Sequence, residues 1–218
     1  MPASRSRSAK TSAARKTSAR RKASATRTTS QRAKAANRTR RRSGQGTDAT
    51  SLLMADHRQV EELFGQFEKA RDGRRKGELA ERICQALRIH TQIEEELFYP
   101  AFYEATAEED LHHEAIVEHD GAKKLIAEIE SSGPDDEYYD ARVTVLSEMI
   151  KHHVREEEQR DGLFAKARKA DMDLVALGEQ LASRKAELES SPEALKALSR
   201  AVSAGKGLVS RLTSGVER

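Results

Sequence analysis

The chain of 218 residues has no tryptophan, one cysteine, four prolines and only nine phenylalanines and tyrosines. A lone cysteine, Cys84, excludes an internal disulfide and gives no reason to place the protein in an oxidising compartment. Its neighbours read as helix, so Cys84 is expected to be a small packing residue. No apolar run approaches the roughly 20 residues needed to span a bilayer, and the N-terminus lacks the apolar core of a secretory signal. The reading is therefore a soluble, cytoplasmic protein. The most lopsided absence is of acid: residues 1–46 hold no Asp or Glu but fifteen of the 39 Lys and Arg. All 36 acidic residues lie downstream, where the formal charge is −12.

Residues 1–46 also lack Val, Ile, Leu, Phe and Tyr. Such a segment cannot bury enough apolar surface to offset its ordering entropy, so it is expected to be a disordered arm. Fifteen positive charges among Ser and Thr suit a phosphate backbone, bound through counterion release. The composition resembles the tails of histone-like nucleoid proteins. With no aromatic to stack on bases, binding to nucleic acid or another polyanion would be sequence-independent and salt-sensitive, with nucleoid association following from it. A solvated tail that contacts the acidic body, or a transit peptide, are the competing readings.

From Thr47 onward the pattern is helical, with no strand alternation. Leu53, Val60, Leu63, Phe64 and Phe67 predict a helix over about 48–70. A second is expected over 76–105, kinked or restarted at Pro100, a third over 109–131 and a fourth over 136–169. Long helices joined by short turns favour an all-α, up-down-up-down four-helix bundle over 47–170. A helical extension over 171–218 would comprise Leu174–Leu188 and a helix opening at Ser191-Pro192-Glu193, packed on the bundle or trailing from it.

One motif occurs twice: His90-Thr-Gln-Ile-Glu94 and His153-Val-Arg-Glu-Glu157. Four-residue spacing on a helix puts both side chains on one face, a turn apart, where they can grip one ion. The duplication is wider than the motif. A shift of 62 residues lays Asp56-His57 on Glu118-His119, and a shift of 63 lays Leu87, His90 and Glu94 on Ile150, His153 and Glu157. Two helix pairs, each giving one histidine and one His-x-x-x-Glu, would build a pseudo-symmetric site. Each of these groups continues an apolar stripe, and polar groups in a core must be paired or coordinated.

The expected metal ligands are therefore His57, His90, Glu94, His119, His153 and Glu157. Four imidazoles, two carboxylates and no thiolate suit iron, with manganese the alternative. Six ligands are many for one ion but natural for two bridged by Glu94 and Glu157, leaving room for water, O2, peroxide or nitric oxide. His152 with Glu156 satisfies the same spacing and competes with His153 and Glu157. The stripe Val143, Leu146, Ile150 favours His153. His112 and His113 are expected at the surface.

These residues carry a resemblance. Asp56-His57, His90-x-x-x-Glu94-Glu95 followed by Leu97-Phe98-Tyr99-Pro100, Glu118-His119 and His153-x-x-x-Glu157-Glu158 make the stretch from about 51 to 170 similar to hemerythrin-like domains of the HHE cation-binding family. The resemblance implies a four-helix bundle around a non-haem di-iron centre. Oxygen-carrying hemerythrins have a fifth histidine one turn from the third-helix histidine. Here Ala115 and Lys123 flank His119. Their last helix also pairs His with Asp at five residues, whereas Glu157 and Glu158 follow His153 at four and five. The set is closer to iron-sensing and iron-centre-repair relatives. The resemblance implies a non-catalytic or weakly catalytic protein that senses, stores or handles iron, O2 or a related ligand, or a di-iron enzyme acting on peroxide or nitric oxide or repairing iron centres. The basic arm adds a nucleoid-associated protein as a third reading.

Overall fold

The computed structural model describes residues 47–191, which form helices and no strands. The basic arm expected at 1–46, and the helix expected from Ser191-Pro192-Glu193, lie outside the described residues.

Helix α1 (Ala49–Lys69) starts where Asp48 accepts a hydrogen bond from the Ser51 amide at 3.1 Å, satisfying one of the helix's orphan donors. Asp72 does the same for α2 (Gly73–Ile93), accepting from the Arg75 amide at 2.9 Å. The expected second helix, 76–105, proves to be three pieces. After α2 comes a π-helical turn, Glu94–Phe98, and then α3 (Tyr99–Thr106). The Tyr99 amide bonds the Glu94 carbonyl five residues back, and Pro100 next along cannot donate at all.

Helix α4 (Glu109–Ser131) matches the expected third helix, and α5 (Tyr139–Glu158) follows the Gly133-Pro134 turn. The expected helix over 136–169 is corrected by a break after Glu158, before α6 (Leu163–Lys169). Gly162 explains the break. A Cβ there would sit 2.1 Å from the Glu156 carbonyl oxygen, so only glycine lets the chain fold back this tightly. Finally α7 (Leu174–Ser190) buries Leu177, Leu181 and Leu188 against the bundle. At Gly178 it approaches so closely that a Cβ would lie 2.2 Å from the Thr47 carbonyl oxygen.

The helices pair α1 with α2 and α4 with α5, in an up-down-up-down bundle whose apolar interior falls into two blocks. One contains Val60, Leu87, Ile126 and Ile150; the other contains Leu53, Ile93, Ile116 and Leu163. On α1, α2 and α4 a histidine stands between a residue of one block and a residue of the other. On α5, His153 follows Ile150 of the first block, with Leu163 of the second beyond the end of the helix. The bundle thus holds a polar layer between two apolar ones. Cys84 belongs to the first block, and burial pushes its thiol up to about 12, which leaves it an inert packing group. Among the described residues, no helix is long and apolar enough to cross a membrane.

Candidate metal centre

His57 comes from α1, His90 from α2, His119 from α4 and His153 from α5. All four are buried, as are Glu94 and Glu157. The structure therefore brings the six residues singled out from the sequence into one layer. The imidazoles meet in pairs, with Nε2 of His57 and His90 3.0 Å apart and Nε2 of His119 and His153 3.2 Å apart. Each carboxylate lies between the pairs. Glu94 Oε2 is 3.1 Å from His90 Nε2 and 3.5 Å from His119 Nε2; Glu157 Oε2 is 3.3 Å from His57 Nε2 and 3.5 Å from His153 Nε2. Glu94 Oε1 and Glu157 Oε2, both buried, have no hydrogen-bond partner. Buried carboxylate oxygens left bare are costly unless something else engages them. The donor set fits a divalent cation, and two groups, His57–His90–Glu94–Glu157 and Glu94–His119–His153, have ligand atoms close enough to hold one each.

Behind each imidazole stands a carboxylate that the sequence motif contained but did not explain. His57 Nδ1 is 2.8 Å from Glu158, His119 Nδ1 3.0 Å from Glu95 and His153 Nδ1 2.7 Å from Glu118. His90 Nδ1 faces Asp56 at 3.8 Å, beyond hydrogen-bond reach but within ion-pair range. A carboxylate on Nδ1 fixes the tautomer and leaves Nε2 as the inward-facing donor of electrons, the usual preparation of a metal-ligating histidine. These contacts follow the repeat. Asp56 and Glu118, 62 residues apart, serve His90 and His153, and Glu95 and Glu158, 63 apart, serve His119 and His57 crosswise.

Charge is balanced in this layer by protons. Burial lowers the His90 pKa, but the Glu94 charge and contacts with Asp56 outweigh it and raise the value to about 10. His153 rises to about 9 against its own burial because of Glu157 and Glu118. His57 is also raised, its ion-pair contacts with Glu157 and Glu158 overcoming desolvation. His119 goes the other way: burial and the neighbouring His153 push it well below its ordinary value. Burial opposes ionisation of Glu157, yet His153 and His57 hold its carboxyl below the usual range.

Tyr99 is the site residue that spacing alone missed. Fully buried, its hydroxyl donates to Glu157 Oε1 at 3.0 Å and lies 3.2 Å from His119 Nε2. Five residues on from Glu94, it would point away on a regular α-helix, and the π turn rotates it onto the same face. The residue 63 positions later is Gly162, so the pseudo-symmetry ends here. His153 and Glu157 are interior, whereas His152 and Glu156 face out, with the His152 side chain 57% exposed. His113 is exposed and His112 half-buried against Tyr103. Lys123, in place of a fifth histidine, pairs with Glu95.

Residues 48–166 match the profile of the Hemerythrin HHE cation binding domain. The chain belongs to the hemerythrin HHE cation-binding family. Its HHE domain has the fold of a solved HHE cation-binding domain-containing protein from Mycobacterium kansasii, with a TM-score of 0.59 at 24% identity over 70% of this chain and 98% of that one. A DNA nickase from Nostoc sp. (strain PCC 7120 / SAG 25.82 / UTEX 2576) is 29% identical over 124 residues, 57% of this chain and 34% of that protein. The chain thus spans about a third of the length of that relative. The family description names a cation, and the His/Glu layer offers donor groups that fit one.

Proposed function

We propose that this HHE protein is a non-haem di-iron protein that senses, stores or handles iron, O2 or a related small ligand. His57 and His90 would serve one ion and His119 and His153 the other, with Glu94 and Glu157 shared. The observation that carries the reading is the position of the two glutamates, each within 3.1 to 3.5 Å of an imidazole from both pairs. Iron held there would supply a redox-active centre able to accept a small ligand. The cavity beside the four histidines is only about 10 Å³, space for one water-sized molecule, which favours a diatomic ligand or peroxide over an organic substrate. Tyr99 would keep Glu157 oriented, since burial and the charges of Glu157 and Glu94 raise its pKa well above the ordinary value and keep it a donor.

Residues 1–46 are proposed to bind nucleic acid or another polyanion, on the strength of their fifteen positive charges and no negative ones. The DNA nickase relative gives nucleic acid the edge among polyanions. Both halves are testable. An optical spectrum of the Fe(II)-loaded protein, taken anaerobically and then after O2, should change in the full chain and not in Glu94→Ala. DNA retardation should disappear when residues 1–46 are deleted; retardation that survives the deletion would remove the arm as the binding element.

A further inference from the structure

Three of the four carboxylates behind the imidazoles are closed off by a permanent cation. Lys185 reaches Asp56 at 2.5 Å, Lys123 pairs with Glu95, and Arg58 pairs with Glu158. Glu118 is the exception. Its Oε2 holds His153 Nδ1 at 2.7 Å, while its Oε1 lies 3.4 Å from Nε2 of the exposed His152. No lysine or arginine is within ion-pair distance of it among the described residues. His152 Nε2 is also 3.2 Å from Glu156 Oε1, so one imidazole nitrogen and two carboxylate oxygens gather at the surface, close enough to ligate one cation. Glu114 adds like charge beside Glu156.

A second observation links this cluster to the interior. A narrow cleft is lined by Glu114, Glu118 and Glu156, and also by buried His153 and Glu157. Glu157 Oε2 lies 3.3 Å from His57 Nε2 and 3.5 Å from His153 Nε2, so the lining of the cleft reaches the buried layer. In the 63-residue register that pairs His90 with His153, the positions matching His152 and Glu156 are Ile89 and Ile93, both buried and apolar. Glu118 touches both the exposed His152 and the buried His153, and so joins the surface cluster to the interior.

We propose that Glu118, His152 and Glu156 form a loading site that captures a divalent cation, Fe(II) or Mn(II), and delivers it along this cleft to His153 and Glu157. The inference rests on the reading of the buried layer as a metal centre. An imidazole with two carboxylates, open to water, suits such ions and binds them loosely enough to release them inward. The surrounding negative charge raises their local concentration at the mouth of the cleft.

The test is the rate at which the metal-free, full-length chain takes up limiting Fe(II), followed anaerobically at low ionic strength. His152→Ala combined with Glu156→Gln should slow uptake about tenfold while leaving the final metal content unchanged. Glu179→Gln, on the exposed face of α7, controls for one lost charge and should load at the original rate. Added salt should narrow the gap between the double variant and the unaltered chain. Equal rates with full final content would overturn the loading site and leave the buried centre standing. A lower final content at an unchanged rate would also overturn it, by making the two residues supports of the centre. No uptake by the unaltered chain would overturn both readings.

Discussion

Metal loading should release protons, and the structure says which ones. In the metal-free layer His90 and His153, with values of about 10 and about 9, are charged at pH 7, and His57 is raised as well. Each must be neutral to ligate, while His119, held well below its ordinary value, already is. Deprotonation at pH 7 costs about 4 kcal/mol at His90 and about 3 kcal/mol at His153. Together these weaken apparent affinity roughly 10⁵-fold relative to a pH above both values. Loading at pH 7 should release about two protons per chain from His90 and His153, and affinity should climb roughly 50- to 100-fold per pH unit between pH 7 and pH 9. Anaerobic competition against a chelator across that range gives the slope, and a pH indicator in weak buffer gives the proton count. Affinity independent of pH, or release of less than about one proton, would show that the metal-free imidazoles are not held protonated by the carboxylates around them.

The same groups set the pH profile of the metal-free fold. His90 and His153 are raised from 6.5, so their contribution is fully present below that value and is lost as pH rises through about 9 and 10. Glu157 is lowered from 4.5 to about 2, so its contribution is present above 4.5 and is lost as pH falls through about 2. Urea titrations at a series of pH values should show both losses, with the alkaline one absent from the metal-loaded protein. Glu158→Gln removes the carboxylate behind His57 and should weaken metal retention about 10- to 100-fold in chelator competition; unchanged retention would deny Glu158 that role. Tyr99→Phe deletes a buried bond to the Glu157 carboxylate and should cost about 1.5–3 kcal/mol of unfolding free energy, with no loss if the bond is idle.

The polar layer was legible because each of its members interrupts an apolar stripe. His57 falls between Leu53 and Val60, and His90 between Leu87 and Ile93, so helical periodicity alone aimed them inward. The choice of His153 over His152 followed from the same logic, through Ile150. Three features were hidden for physical reasons. The carboxylates behind the imidazoles act across helices, and a sequence shows only that Glu95 and Glu158 neighbour Glu94 and Glu157. Tyr99 depends on a π turn, an irregularity that a constant period cannot reveal. The break between α5 and α6 lies at Gly162, where Leu163 and Phe164 continue the apolar pattern and only the close approach of the Glu156 carbonyl decides the path.

In the metal-loaded protein the layer of four histidines and two glutamates should hold a pair of metal ions. The most direct measurement is the number of ions per folded chain after anaerobic Fe(II) loading and removal of loose metal, for the unaltered protein and for His90→Ala and His119→Ala. About two ions per chain are expected, with each substitution lowering the count. Fewer than about one ion in the unaltered chain, or counts that the two substitutions leave untouched, would contradict the claim.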